Sequence, residues 1–371
     1  RVSSTSRGLG DVYKRQIILI PPIVNFNETV IKGEHENVSV NKVLSYRNEI
    51  ISRLKKASAS KDDIIFLDLN KIVSELSINA SLQDQFHLTD LAKKRLSDTV
   101  LDICNRKSVV FKPEGINLFI PQDNEKLHKH HAMFPIRGDC EKSLRVITKK
   151  LYESNFLDVN KNIIDLGAWI GDNSIPWSKM IKGNVFSIDP SEENTRYINR
   201  LCKINNIHNI KLITKCISDK EETVYFNDNI IHTQFNTSRG RNSMCSTSLD
   251  SLFAKGRINN VNYIHLDVES FEYKVLIGAK LLINEYKPII IWEHHLSETD
   301  TKLIIEFLKQ KGYCTFLINE RFPHCRPDCR NFISTQADKK DSLLNICKSI
   351  NTQAIGIQKA DNSKDLLIKY D

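Results

Sequence analysis

From residue 109 to residue 318, short apolar runs alternate with segments whose apolar residues recur every three or four positions, the signatures of buried strands and amphipathic helices. The pattern predicts an extended hairpin over Val109 to Pro121 and a helix over Leu144 to Tyr152. A regular series follows: strand Asn162 to Leu166, helix Asp172 to Met180, strand Asn184 to Ile188, helix Ser191 to Ile204 and strand Ile210 to Thr214. After an irregular stretch from His232 to Cys245, the alternation resumes with strand Tyr263 to Val268, helix Phe271 to Ile283 and strand Ile289 to Trp292. A helix marked by Leu303, Ile304, Phe307 and Leu308 stops at Gly312, and strand Tyr313 to Ile318 closes the series. Strand, helix, strand in this order predicts an α/β fold: a parallel sheet with right-handed crossovers and flanking helices.

Upstream, Ile17 to Ile20 and Ile64 to Leu69 read as strands, Leu44 to Leu54 and Lys71 to Ile78 as helices. Thr89 caps a further helix with apolar residues from Leu91 to Cys104. At 371 residues the chain exceeds one typical domain. The expected division is a partial α/β unit over 17–105, a main domain over 106–347 and a C-terminal segment over 348–371.

Hydrophobic residues at 40% and charged residues at 26% are those of a globular protein. The formal net charge is +8, of which the first sixteen residues supply +3 through Arg1, Arg7, Lys14 and Arg15 against Asp11. Those sixteen residues resemble translated adapter sequence and are expected to be a non-native leader, so the remaining excess does not point to a nucleic-acid partner. The longest apolar run, Ile17 to Val24, is broken by Pro21 and Pro22 and falls short of the roughly 20 residues a membrane span needs. With no secretory pattern either, a cytoplasmic location is expected. Nine cysteines include no CxxC pair, which predicts free thiols. His324, Cys325 and Cys329 cluster without a second ligand pair at zinc spacing, so no metal is expected there.

The chemistry concentrates in three places. In Asn162 to Ser174 (NIIDLGAWIGDNS) a strand runs through Asp165 into Gly167, Ala168 and Gly171 and then a helix start, the arrangement that brings a ligand against bare backbone. A dinucleotide site wants GxGxxG for a pyrophosphate, whereas DxGxxxG sets a carboxylate ahead of the first glycine. That carboxylate repels phosphate and suits the cationic end of S-adenosylmethionine. Asp189, ending the next strand, is placed to accept ribose hydroxyls, a role compatible with either cofactor and also with a helix N-terminal acid. In Tyr263 to Leu276 (YIHLDVESFEYKVL) a strand delivers His265, Asp267, Glu269 and Glu272 toward the ligand-binding edge. Asp267 or His265 is a candidate base for an acceptor hydroxyl; alternatively Asp267 orders the cofactor and the acids hold a divalent ion. Glu293, His294 and His295 end the following strand, and Glu293 is a further candidate base.

Read with Ser218 and Asp219 after the third strand and with Thr247 to Leu252 (TSLDSL), these motifs resemble the FkbM-type methyltransferases over about 240 residues. That family has a VLDVGANIG-like turn, an acid ending the second strand and a TLD…IKIDVEGxE block. The resemblance implies a Rossmann-like class I methyltransferase sheet and S-adenosylmethionine-dependent O-methylation, often of sugars, glycolipids or related natural products. It also implies a cofactor site of Asp165, Gly167, Ala168, Gly171, Asp189, Ser218 and Asp219, with Asp267, Glu269 and Glu272 as the acidic block. His265 stands where the family usually has Lys, and Ser270 where it usually has Gly.

In the first unit, Asp84 and His87 in DQFHLTD form a DxxH pair before a helix, similar to the last block of SGNH (GDSL-like) hydrolases, and the unit is expected to be a C-terminal fragment of such a domain. The whole reading is a methyltransferase acting on a small-molecule or glycan acceptor. Its rivals are a nicotinamide-dependent oxidoreductase on the same sheet and a cofactor-binding protein without catalysis. His128, His130 and His131 read as surface or lid residues.

Overall fold

Adjacent strands and helices of the main domain assemble around one eight-stranded sheet, and the polarity of each strand follows from its place in the chain. The computed structural model describes residues 17–19, 45, 48–50, 52–53, 64–66, 90, 94, 106–111, 116–121, 141–226, 235–236, 242–296, 300–321, 328–360 and 363–370. The chain divides into two units, residues 1–104 and 105–371. In the first, β1 (Ile17–Leu19) pairs in parallel with β2 (Ile64–Phe66). Asp84 and His87, and the helices expected over Lys71 to Ile78 and before Cys104, lie outside the described residues apart from Asp90 and Lys94.

The second unit opens with the antiparallel hairpin of β3 (Arg106–Phe111) and β4 (Ile116–Pro121), followed by α1 (Lys142–Glu153). The alternating core is β5 (Asn162–Leu166), α2 (Ser174–Met180), β6 (Val185–Ile188), α3 (Glu192–Ile204) and β7 (Ile210–Ile213). Then come β8 (Cys216–Ile217), β9 (Thr223–Phe226), β10 (Phe235–Asn236), β11 (Asn242–Thr247) and α4 (Leu249–Ala254). The chain continues through β12 (Val261–Leu266), α5 (Glu272–Ile277), α6 (Lys280–Tyr286), β13 (Ile289–His295), α7 (Asp300–Gln310) and β14 (Tyr313–Ile318). It ends with β15 (Cys329–Gln336), α8 (Lys340–Lys348), α9 (Thr352–Ile355) and β16 (Leu367–Lys369).

The sheet order is β16-β14-β15-β13-β12-β5-β6-β7, with β7, β6, β5, β12 and β13 parallel and β15 antiparallel to both neighbours. This mostly parallel sheet, reversing direction of build-up between β5 and β12, is the Rossmann-like arrangement, and ligands bind at the carboxyl ends of strands beside such a reversal. Successive residues serve opposite faces. Ile164, Leu166, Ile264, Leu266, Ile290 and Trp292 pack on one side, Ile163, Val185, Tyr263, Ile289 and Ile291 on the other. A third apolar cluster joins Leu118 and Ile120 of β4 to Tyr197, Ile198 and Leu201 of α3.

Four features differ from the sequence expectation. The helix expected from Phe271 to Ile283 is broken at Gly278, whose backbone packs so closely on the Ser218 carbonyl that a Cβ would lie 2.3 Å from it. Asp250 then caps α6, accepting from the Leu281 and Leu282 N–H groups at 3.0 Å each. The stretch around His232 to Cys245 contributes β10 and β11 to a small four-stranded sheet. Strand β15 has no counterpart in the apolar pattern, since its buried positions include Asn331, Ser334 and Thr335. The sheet also continues past residue 347, where β16 pairs antiparallel with β14.

Candidate functional site

Strand β5 ends on Leu166, and the chain turns through residues 167–173 before α2. Gly167 (φ +76°) and Gly171 (φ +78°) adopt the left-handed conformation that glycine takes without strain. The turn is fixed from within by Gly171 N–H donating to Ala168 O at 2.7 Å. It is fixed to β6 by the Gly167 and Ala168 N–H groups, which both donate to Ile188 O. Trp169, also left-handed at φ 43°, donates its N–H to Asp189 Oδ2 at 2.8 Å. The glycine turn and the acid ending β6 thus adjoin at one end of the sheet.

Asp189 Oδ1 also accepts from Ser191 N–H at 2.8 Å and from Asn194 Nδ2 at 3.0 Å. A carboxylate offers about four acceptor directions, and among the described residues three of those of Asp189 are taken. Burial raises its pKa to about 6, against which the three hydrogen bonds pull downward.

Asp165 is buried on the sheet face toward α1 and α2. Its Oδ1 is 2.8 Å from His265 Nδ1, and its Oδ2 accepts from Ser174 Oγ, which lies 2.9 Å from Ser187 Oγ. The pairing follows from register, since Asp165 and His265 are direct partners across β5 and β12. Burial drives the His265 proton off, but the Asp165 hydrogen bond and charge, with Glu141 and Asp267 behind them, prevail and hold its pKa above the ordinary value. His265 therefore lies in the core, with the Trp177 ring edge-on at 5.3 Å, and not at the acceptor edge where the sequence suggested it.

The other expected residues separate into two groups. Ala168 is buried among Ile170, Ile175 and Tyr197, contributing its backbone to the turn and its methyl to the core. Glu272 is likewise internal: Oε1 accepts from Val268 N–H at 3.1 Å and Oε2 meets His294 Nδ1 at 3.2 Å, so its carboxylate braces the loop against β13. Ser218 Oγ donates to Asp219 Oδ1 at 3.0 Å beside Gly278. Glu293 Oε1 accepts from the Cys329 thiol at 2.8 Å. Asp267 and Glu269 are half-buried on the loop after β12, Glu269 at φ 51° and the exposed Ser270 at φ 74°. Leu266 and Trp292 are register partners, so Asp267 and Glu293 follow them at the same level on adjacent parallel strands. His295 sits on β13; its side chain, like His128, His130, His131, His324 and Cys325, lies outside the described residues. Among the described residues no group of three metal-binding side chains occurs.

Sequence reasoning missed Ser174, Trp169, Glu141 and Glu320. The Glu320 carboxylate accepts from the Lys142 and Ser143 N–H groups at 2.9 Å each and so caps α1. No local spacing marks such a contact, because the two partners meet only in the folded chain.

Residues 165–314 match the family model of the methyltransferase FkbM domain. The match begins on the acid that opens the turn and spans β5 to the start of β14. Among solved structures, the methyltransferase FkbM of Methylobacillus flagellatus KT aligns over 50% of this chain and 47% of its own at 17% identity, with a TM-score of 0.36. This chain thus spans about half the length of that relative. The precorrin-6y C5,15-methyltransferase of Geobacter metallireducens GS-15 aligns over 53% and 88% at 11% identity, with a TM-score of 0.35. A SAM dependent methyltransferase of Aquifex aeolicus aligns over 57% and 98% at 14% identity, with a TM-score of 0.34. A search of curated proteins finds no match. The FkbM match does not extend to residues 17–105, and the SGNH-like reading of that segment gains no support. Among the described residues no helix is long and apolar enough to cross a membrane.

Proposed function

We propose that the second unit is an S-adenosylmethionine-dependent methyltransferase that acts on a hydroxyl oxygen of a carbohydrate, glycolipid or related natural product. The observation that carries the reading is the Trp169 N–H to Asp189 contact, which joins the glycine turn and the second-strand acid around one sheet end within the FkbM-matching segment. The residues there fit such a cofactor: Asp189, beside the turn, is a carboxylate acceptor for a ribose hydroxyl, and Gly167, Ala168 and Gly171 form the backbone wall. Ser218 and Asp219 stand on the adenine side by resemblance to the family.

When bound, S-adenosylmethionine supplies an electrophilic methyl on a sulfonium. The chain's part is to align the acceptor oxygen, exclude water and take the hydroxyl proton. Asp267 is assigned the last role because it is half-buried on the loop beyond β12, whereas His265 is committed to Asp165 in the core. Glu293 and Glu269 border the same edge and orient the acceptor.

Titration calorimetry with S-adenosylhomocysteine and with NAD tests the cofactor, and transfer of labelled methyl to a panel of hydroxylated glycans and glycolipids tests the acceptor. Binding of S-adenosylhomocysteine alone, with label found as methyl ether, is expected. NAD binding would replace the reading by an oxidoreductase, and cofactor binding without transfer to any acceptor would reduce the protein to a binding module.

A further inference from the structure

We propose that His265 is a positioning residue of the turn: through Nδ1–H it fixes the Asp165 carboxylate, and through that carboxylate the entry into the turn and the start of α2. The turn's role as a cofactor site rests on the function proposed above; its mechanical dependence on His265 does not.

Asp165 is the last polar residue before the turn, and both its oxygens are engaged, one by His265 on the neighbouring strand and one by Ser174 in the first turn of α2. The carboxylate therefore ties three elements, β12, β5 and α2, across the loop that carries Gly167 to Gly171. An ionised carboxylate only accepts, so the proton of this contact resides on Nδ1, and His265 spends its one described hydrogen bond on Asp165. Its Nε2 is buried and has no hydrogen-bond partner among the described residues. The imidazole is thus not shared with another polar network, and its orientation answers to Asp165 and to the edge-on Trp177 ring. The charged groups that act on it come from three elements: Asp165 on β5, Glu141 before α1 and Asp267 on the loop after β12. Against the burial that disfavours it, the charge of Asp165, with Glu141 and Asp267 behind it, favours the protonated form of His265.

The test uses the full chain and three variants. Asparagine at this position can offer an amide N–H close to where Nδ1–H stands, whereas leucine offers none. In wild-type protein the His265 imidazole, followed by nitrogen-15 NMR, is expected to titrate above the ordinary histidine value, and Asp165→Asn is expected to bring it below that value. His265→Leu is expected to speed amide exchange of Trp169 and Gly171 by about tenfold or more while leaving β14 amides unchanged, and His265→Asn to restore protection to within about threefold. Affinity for S-adenosylhomocysteine should follow the same order, weakened in His265→Leu and retained in His265→Asn.

A His265 titration at or below the ordinary value and indifferent to Asp165→Asn overturns the proposal. Equal exchange at Trp169 and Gly171 in the wild type and His265→Leu overturns it as well. Should His265→Leu fail to fold, the wild-type titration and the exchange in His265→Asn still decide, since loss of protection there refutes the N–H tether. If exchange responds as stated while S-adenosylhomocysteine binds no form of the protein, the positioning role stands and the cofactor assignment falls.

Discussion

Gly167 and Asp267 are in backbone contact: a Cβ on Gly167 would lie 1.7 Å from the Asp267 carbonyl oxygen, and the Asp267 N–H donates to Leu166 O at 3.0 Å. The first glycine of the turn therefore makes room for the end of the neighbouring strand, and the candidate base is held by the same residue that opens the turn. Gly167→Ala combines a positive φ with a backbone clash that no rotamer can relieve. A loss of about 3 kcal/mol or more is expected in chemical denaturation. Gly256, at φ +66° with nothing within 4 Å of its would-be Cβ, is the control. Gly256→Ala should cost only about 1 kcal/mol, and equal losses at the two sites would show that the contact with Asp267 is immaterial.

Ser270 lies two residues before α5 with φ 74° and is exposed, and Glu269 beside it has φ 51°. Two successive left-handed non-glycine residues store backbone strain at the lip of the candidate site. Ser270→Gly relieves one of them, and although glycine loses about 0.5–1 kcal/mol of chain entropy on folding, a net gain of about 0.5 kcal/mol is expected because the left-handed penalty is about 1–2 kcal/mol. A lowered denaturation midpoint in Ser270→Gly would mean that the serine hydroxyl contributes more than its backbone costs.

How far the sequence revealed this molecule depended on where the cause of each feature lies. Strands such as Asn162–Leu166 are buried on both faces and so declare themselves as short apolar runs. Strand β15 does not, because Ser334 accepts from Trp292 Nε1 at 3.2 Å and Asn331 Nδ2 donates to Glu141 at 3.0 Å, interior roles that look like surface polarity in one dimension. The break at Gly278 lies against the Ser218 carbonyl, distant in the chain, a contact that no local propensity reports. In the site, the turn, Asp165, Asp189 and the acidic block were legible as residue types at their spacing. Their partners were not: His265 meets Asp165, and Glu272 meets His294, through strand register and loop packing.

Asp189 offers a pH-dependent test. Burial raises its folded pKa from 3.8 to about 6. The folded state therefore binds the proton more tightly than the unfolded chain, so this group's favourable contribution is full below about pH 4 and is lost as pH rises through about 6, with a span of about 3 kcal/mol. Carbon-13 NMR of the Asp189 carboxyl should give a midpoint near the raised value. A ribose hydroxyl donated to the ionised form would lower it, so S-adenosylhomocysteine should shift the midpoint down and release protons when bound near pH 6. A midpoint unmoved by bound S-adenosylhomocysteine would remove Asp189 from the cofactor contacts.

The acidic block contains two carboxylates with opposite duties, and paired substitutions separate them. Glu272 is buried and joins Val268 N–H to His294 Nδ1, so Glu272→Ala removes both contacts and should cost about 2–4 kcal/mol. Glu272→Gln keeps an acceptor and should lose less than the alanine variant. Asp267 meets Gly167 and Leu166 through its backbone, and Asp267→Asn keeps those contacts and the side-chain shape, so a smaller loss of stability than in Glu272→Ala is expected. If its carboxylate takes the acceptor proton, turnover should fall by about a hundredfold or more while S-adenosylhomocysteine affinity stays within about threefold. The informative comparison is the crossed one, in which Glu272→Gln remains active where folded and Asp267→Asn remains folded where inactive. Should Asp267→Asn turn over at the wild-type rate, Asp267 is not the base, and Glu293→Gln and Glu269→Gln test the two remaining candidates.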